Sequence, residues 1–236
     1  VSGRIMLNGT SLLDLTEREM RRLRGERVSM VFQEPASCFD PVYTVASQVA
    51  EVFQIHKKMS NAEAHAAALD MLRLVQIPNV DRCATLYPHE MSGGMLQRAM
   101  IAMALACRPA LLIADEPTTA LDVTVQSQIL QLLGSVRDQF GMALLLISHD
   151  LGVIAELSDI VYVMYAGHIV ESGSTADLLA HPQHPYTRAL IRSMPRYGMK
   201  RDRLEATAGN VPSPSSRPTG CVFSDRCAEV TPRCRM

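Results

Sequence analysis

The sequence lacks three features that would each indicate a particular class of protein. No apolar run approaches the ~18 residues that a bilayer-spanning helix needs, and the longest, around residues 143–147, has the length of a strand. Neither sign of charge dominates, because 23 Lys and Arg stand against 24 Asp and Glu, so bulk charge does not indicate a nucleic-acid partner. Six cysteines in 236 residues are too few for a disulfide scaffold.

The composition that remains is that of a globular protein. Hydrophobic residues make up 47% of the chain and charged residues 20%, which is enough for a packed core and excludes wholesale disorder. The first residues do not resemble a signal peptide, and the chain opens with Val1 rather than Met. We therefore expect the sequence to begin partway through a longer protein.

Strand-like and helical patterns alternate along most of the chain. Short apolar runs at 28–32, 110–114 and 142–147 indicate buried strands, while residues 60–75 and 123–140 have helical spacing. Ser60 and Glu63 form a capping-box pattern at the start of the first of these helices. Alternating strands and helices predict an α/β fold with a mainly parallel sheet. From about residue 196 onward the chain is rich in Pro, Ser and Arg, which indicates a small appendage after the main domain.

Two adjacent carboxylates follow the apolar run 111–114. Asp115 and Glu116 are thereby predicted to lie at the carboxyl end of a buried strand, where open α/β sheets bind their ligands. Neighbouring residues on a strand point to opposite faces, so the two acids are expected to have different tasks. One can hold Mg²⁺ while the other polarises a water that attacks a phosphate. Two solvated acids at a strand end are the alternative.

Two further polar groups are expected near the same ligand. Ser92, Gly93 and Gly94 precede a helical pattern of about residues 95–107, and a serine with two glycines at a helix start exposes backbone amides to an anion. His149 directly follows the strand 142–147, which places its imidazole at the sheet edge predicted for the two acids. Each feature alone would be explained by ordinary capping or packing; their convergence predicts one site.

The order of these elements resembles the nucleotide-binding subunit of an ABC transporter. Five motifs of that subunit are matched in order along the chain. They are the Q-loop at Gln33, the signature motif at 91–95, the Walker B motif at 111–117, the D-loop at 120–122 and the H-loop at His149. Residues 92–98, 115–122 and 184–187, together with the cysteine-bearing end of the chain, resemble the importer ATPases for oligopeptides and dipeptides. Met91 and Met95 depart from the general Leu-Ser-Gly-Gly-Gln signature, and Met95 is similar to the peptide subfamily.

The resemblance implies a fold and its division into domains. Residues 1–195 would be an ABC-type nucleotide-binding domain, with a RecA-like core and a helical subdomain over about 35–107, incomplete at the N-terminus. Residues 196–236 would be a small C-terminal extension of the oligopeptide-transporter type.

The resemblance also implies a role for each motif residue around ATP and Mg²⁺. Glu116 would be the general base, His149 would contact the γ-phosphate, Asp115 would support Mg²⁺, and Gln33 would sense the metal and the attacking water. Ser92, Gly93 and Gly94 would contact ATP held by the opposite subunit, with Asp122 at the same dimer seam.

The partners implied are a second ABC ATPase subunit, identical or related, and transmembrane permease subunits that dock on the surface of residues 35–75. A substrate-binding protein would take part indirectly, and no nucleic acid is expected. The subunit would lie peripherally on the cytoplasmic face of the bacterial inner membrane.

One element of an ATP site is missing from these residues. The phosphate-binding pattern G-x-x-x-x-G-K-[ST] needs a lysine after glycines, and none of Lys57, Lys58 and Lys200 has that context. We therefore expect the isolated chain to be inactive, the family's ATP hydrolysis belonging to the longer protein. A non-catalytic or decayed ABC fragment that acts only through protein contacts is the alternative. ABC ATPases of DNA repair carry long inserts for which the span from Gln33 to Ser92 has no room.

The end of the chain contains Cys221, Cys227 and Cys234. Their spacing is looser than the paired cysteines of zinc sites, and incidental thiols are the simpler interpretation from spacing alone. The peptide-importer resemblance implies an iron–sulfur cluster here, for which only three of the four usual cysteines are present.

Overall fold

The computed structural model describes residues 3–119, 121–193, 209–213, 215 and 217–236. The chain divides into two compact units, Val1–His149 and Asp150–Met236. Among the described residues, none of the helices has both the length and the apolar content to cross a membrane. The domain boundary predicted near residue 196 lies outside the described residues and stays a prediction, as do the other domain limits.

The first unit is organised around parallel strands. β3 (Val28–Val31), β4 (Leu111–Asp115) and β5 (Ala143–Ile147) form one sheet with β4 in the centre. Val31 pairs with Ala114 and Asp115 pairs with Ile147, so the three strands end at one edge. A short antiparallel hairpin of β1 (Met6–Leu7) and β2 (Thr10–Ser11) precedes them. The parallel strands expected from the apolar runs are confirmed.

Six helices are described in this unit. They are α1 (Glu17–Leu23), α2 (Val45–Lys57), α3 (Asn61–Leu74), α4 (Val80–Cys83), α5 (Gly93–Leu105) and α6 (Val123–Phe140). The capping box at the start of α3 is confirmed, since the amide of Glu63 donates to the Ser60 hydroxyl and its carboxylate accepts from the Ser60 amide. α5 begins two residues earlier than expected because the Ser92 side chain caps it.

Helices α2, α3 and α5 share one apolar core. Its fully buried side chains come from all three helices: Val45, Val49, Ala64, Ala68, Leu72, Ala99 and Ile101. Nine of the thirteen residues of α5 are buried, including the polar Gln97 and Arg98. An apolar helix buried on nearly all sides holds its N-terminal turn in a fixed position, which matters for the site below.

The second unit is built on the hairpin of β6 (Ile160–Tyr165) and β7 (His168–Ser174). Ala166 and Gly167 both have positive φ, as a tight turn between two antiparallel strands requires. Helix α7 (Leu151–Leu157) precedes the hairpin, and α8 (Thr175–Ala180) and α9 (Pro185–Ser193) come after it. Short 3₁₀ turns at Ser224–Arg226 and Pro232–Arg235 form the end of the chain.

The end of the chain packs on this hairpin through aromatic side chains. Phe223 lies edge-on to Tyr165, with ring centroids 5.1 Å apart, and Tyr186 of α9 lies against both rings. Arg226 donates a hydrogen bond of 3.3 Å to the Tyr165 hydroxyl. Residues 221–226 therefore share a small core with β6 and α9.

Candidate functional site

Glu116 is the first residue beyond the central strand of the sheet. Its backbone lies in the left-handed region, with φ of 49°, which is uncommon for a residue with a side chain. The amide of Glu116 donates to the carbonyl of Ile147, at the end of the neighbouring strand, over 3.0 Å. This bond between strand ends holds an unfavourable backbone conformation, a feature typical of functional positions.

The Glu116 carboxylate is joined to the end of β5 by His149. Both the His149 amide, at 3.1 Å, and its ring Nδ1, at 2.8 Å, contact Glu116 Oε1. The other oxygen, Oε2, accepts a hydrogen bond of 2.7 Å from the Thr119 hydroxyl. The Glu116 side chain is 19% exposed whereas that of His149 is 78% exposed. The arrangement thus fixes the carboxylate and leaves much of the imidazole open to a ligand.

The protonation state of this pair follows from its contacts. Partial burial raises the pKa of Glu116, but hydrogen bonds from His149 and Thr119 outweigh it and leave the pKa below its usual 4.5. Glu116 is therefore an anion at neutral pH and can only accept hydrogen bonds. Nδ1 of His149 must then carry the proton that it shares with Glu116.

Asp115 and Gln33 lie at the same edge of the sheet. Asp115 is the last residue of β4, and Gln33 comes two residues after Val31, the last residue of the paired strand β3. A carboxylate and an amide oxygen are donors that Mg²⁺ accepts, so the donor chemistry fits the metal predicted there. The structure places Asp115, Glu116, His149 and Gln33 at one edge of the parallel sheet, as expected.

The signature turn, which consists of Ser92, Gly93 and Gly94, forms a second group with Asp122. The Ser92 hydroxyl accepts from the Met95 amide at 3.4 Å and begins α5, and the Asp122 carboxylate accepts from the Val125 amide at 2.9 Å and begins α6. Ser92, Gly93 and Asp122 are exposed. Two capped and exposed helix N-termini therefore carry the motif residues of this group. Ala120, within the predicted D-loop, lies outside the described residues.

Comparison with known proteins decides the family. A family model described as "ABC transporter" matches residues 1–119. The chain is 54% identical to the "Probable peptide ABC transporter ATP-binding protein y4tR" of Sinorhizobium fredii, over the whole chain and 70% of that relative. The chain belongs to the ABC transporter ATP-binding family. The resemblance drawn from the motifs is confirmed.

Other ABC proteins support the same assignment. The chain is 45% identical to the "Dipeptide transport ATP-binding protein DppD" of Escherichia coli, over 99% of this chain and 73% of that one. Its fold is similar to that of the ATP-binding cassette MJ0796, solved as a dimer bound to ADP and phosphate, with a TM-score of 0.66 and 27% identity over 74% of each chain. The predicted ABC nucleotide-binding fold is confirmed.

The C-terminal part of the chain matches a second family model. The description of this model is "Oligopeptide/dipeptide transporter, C-terminal region", and it matches residues 170–234. Within this part, the Glu171 carboxylate accepts hydrogen bonds from the amides of Gln183, at 2.7 Å, and His184, at 3.0 Å. One acid therefore shapes the turn that contains the His184-Pro185-Tyr186 motif.

The iron–sulfur prediction for the ABC protein's extension is not supported. The Cys221 amide donates to the Cys234 carbonyl at 2.8 Å, while the Cys227 sulfur accepts from the Glu229 amide and that of Cys234 contacts the Thr231 hydroxyl. Across the part of the chain that the structure describes, no group of three or more His, Cys, Asp or Glu side chains is arranged to hold a metal ion. The thiols of Cys227 and Cys234 thus contact a neighbouring backbone amide and a neighbouring hydroxyl group.

The sequence did not predict the contacts of three residues at or near these motifs, Thr119, Arg98 and Glu171. Thr119 could have been found, because a hydroxyl three residues after a turn-forming acid is placed to bond to it. Arg98 was visible as a charge within an apolar helical run, but its partners are distant in sequence. Glu171 gave no signal, since it lies in an ordinary strand pattern and bonds to amides 12 and 13 residues further along the chain.

Proposed function

We propose that the protein is the ATP-hydrolysing subunit of an importer of dipeptides or oligopeptides. The observation that carries the proposal is the Glu116 carboxylate, ionised and held by His149 at the edge of the sheet. The cargo is inferred from the C-terminal family match and from the names of the relatives in Sinorhizobium and Escherichia coli.

Glu116 serves as the general base in this proposal. A base must be deprotonated before it can draw a proton from the attacking water, and Glu116 meets this condition at neutral pH. The bonds from His149 and Thr119 fix the carboxylate, so no reorientation is needed when the reaction begins. His149, with its ring protonated, would donate from Nε2 to an oxygen of the γ-phosphate. Asp115 and Gln33 would hold Mg²⁺, which neutralises phosphate charge when bound.

In this proposal the signature turn and Asp122 act on the ATP that the second cassette holds, whereas Glu116 and His149 act on the ATP of their own cassette. Ser92, Gly93 and Gly94 would contact the γ-phosphate of ATP that the second cassette holds, and Asp122 would lie at the seam between the two subunits. The exposed amides at the start of α5 suit a phosphate, because the helix dipole and unpaired N–H groups both attract an anion. The two cassettes would work with permease subunits and, indirectly, with a substrate-binding protein. The cassettes would lie peripherally on the cytoplasmic face of the inner membrane.

Tight binding of ATP needs a phosphate loop that these 236 residues do not contain. Backbone amides and a lysine of that loop hold the phosphates in ABC ATPases, and none of the three lysines of this chain lies in the pattern. The isolated chain is therefore expected to show no heat of binding when titrated calorimetrically with Mg-ATP. Micromolar binding would show that another part of the chain replaces the loop.

The decisive experiment uses a completed cassette, which is this chain with the phosphate-binding segment of an ABC ATPase fused ahead of residue 1. Glu116→Gln should lower its ATP hydrolysis by about 10²–10⁴-fold while ATP binding is retained. Glu17→Gln, at an exposed acid paired with Arg24, is the matched control and should leave hydrolysis unchanged. Hydrolysis that survives Glu116→Gln would contradict the proposal.

The second candidate is a non-catalytic ABC subunit that acts only through protein contacts. It predicts that the completed cassette assembles with its permease but does not hydrolyse ATP even with Glu116 intact. The cargo is tested in the same assembly, where a binding protein loaded with a dipeptide or oligopeptide should stimulate hydrolysis. Stimulation by other solutes and not by peptides would contradict the assignment of cargo alone.

A further inference from the structure

Helices α5 and α6 begin side by side. A Cβ atom placed on Gly94 would lie only 2.9 Å from Cγ1 of Val125, so the first turn of α5 already touches the first turn of α6. Ser92 and Asp122 are the N-caps of these two helices. The signature turn and the Asp122 turn are thus joined by a direct backbone-to-side-chain contact.

One turn further along α5, a buried arginine makes a second junction. Arg98 is 8% exposed in a helix whose other buried residues are nearly all apolar. Its Nη1 donates to the Val75 carbonyl at 2.8 Å and contacts the Gln76 side chain at 3.4 Å, and its Nη2 donates to the Gln128 side chain at 3.0 Å. One guanidinium therefore joins the end of α3, the body of α5 and the second turn of α6.

The chemistry of Arg98 makes this junction rigid. Burial lowers the pKa of Arg98, but a guanidinium keeps its charge in proteins, and a buried charge needs its hydrogen-bond partners. Its planar fork fixes the direction of each donor, so the Val75 carbonyl and Gln128 can both be reached only while the helices keep one spacing. A lysine has no such fork and would hold the helices less strictly.

We infer that Arg98 is a positioning residue that locks the signature turn to the Asp122 turn, so that both reach the partner's nucleotide as one rigid unit. The inference rests on the proposed function, because it assumes that these turns act on ATP held by the second cassette. Loss of the lock would let the two N-termini shift separately, and a displacement of about 1 Å in a catalytic group can cost about 100-fold in rate.

The test measures the nucleotide site that this chain completes in trans. The chain is mixed with the Sinorhizobium fredii relative in which the signature serine has been replaced by arginine. In this mixture only the site that combines the relative's phosphate loop with this chain's signature turn is intact. Hydrolysis of ATP is recorded as kcat and KM per folded chain, with the folded fraction taken from circular dichroism.

The variants separate positioning from folding. Arg98→Met and Gln128→Leu should each lower kcat about tenfold while KM for ATP changes less than about threefold, because the relative's own loop holds the nucleotide. The double variant should lose no more than Arg98→Met alone, because Gln128→Leu breaks a bond that Arg98→Met has already removed. Gln128→Glu keeps an acceptor for Arg98 and should retain normal turnover. Arg24→Met, at an exposed ion pair, is the control and should behave as the unchanged chain.

Two results would overturn the inference, and they differ from one another. If the unchanged chain restores no hydrolysis to the mixture, the proposed function fails and the inference fails with it. If the unchanged chain restores hydrolysis and the Arg98→Met and Gln128→Leu variants restore it equally per folded chain, the inference alone fails. Gln128 is exposed on α6, so its variant remains informative even where Arg98→Met does not fold.

Discussion

The two glycines of the signature turn are predicted to respond in opposite ways to the same substitution. A Cβ on Gly94 would meet Cγ1 of Val125 at 2.9 Å and Cγ2 at 3.8 Å, whereas a Cβ on Gly93 would meet nothing within 4 Å. Neither glycine has a positive φ, so only the space around it decides the outcome. The pair therefore forms a matched experiment within one helix turn.

The magnitudes follow from two competing effects. Overpacking costs typically about 1–3 kcal/mol, while alanine in place of glycine favours a helix by up to about 1 kcal/mol. For Gly94→Ala the clash dominates, and we expect the free energy of unfolding to fall by about 1–2 kcal/mol. For Gly93→Ala only the helical gain remains, and the free energy of unfolding should stay unchanged or rise by up to about 1 kcal/mol.

Urea unfolding followed by circular dichroism measures both variants. Val125→Ala removes the methyl group that Gly94→Ala would strike, so the double variant should recover about 1 kcal/mol relative to the sum of the single changes. Equal stability of the two glycine variants would refute the reasoning. So would a loss in Gly94→Ala that Val125→Ala leaves unchanged, because the contact between α5 and α6 would then not be its cause.

Two further predictions concern half-buried carboxylates. Thr119→Val removes one of the hydrogen bonds that hold the pKa of Glu116 below 4.5. The variant should unfold at lower urea than the unchanged chain at neutral pH, and this difference in stability should shrink as the pH falls below 4.5 through the folded pKa. A difference in stability that does not depend on pH would contradict this. Glu171→Ala leaves the amides of Gln183 and His184 without their acceptor. The free energy of unfolding, measured by thermal unfolding, should fall by about 1–3 kcal/mol. A fall of less than about 0.5 kcal/mol would contradict this prediction.

The edge of the sheet was predictable because its determinants are local. Each strand is a short apolar run, and a polar residue that directly follows such a run must lie at the strand's end. Glu116 and His149 come from consecutive parallel strands in the described sheet, so their proximity follows from the pattern of strands alone. The order of the motifs then specified the family, which the comparisons confirmed.

The lock between helices was not predictable, because its contacts join residues far apart in sequence. Arg98 bonds to residues 23 positions before it and 30 positions after it, and no periodicity records such a pairing. The close approach of Gly94 to Val125 likewise depends on how two helices pack. The iron–sulfur cluster that the resemblance implied is not supported among the described residues, because shared residue types within a short segment do not determine whether their side chains converge.

The signature turn of this chain is proposed to complete a nucleotide site on a second cassette. Light scattering of the chain mixed with a cassette that binds ATP but cannot hydrolyse it tests this directly. We expect a one-to-one complex that forms in Mg-ATP, is absent in Mg-ADP and is lost in the Ser92→Arg variant. A complex that ignores the nucleotide, or one that tolerates Ser92→Arg, would contradict it.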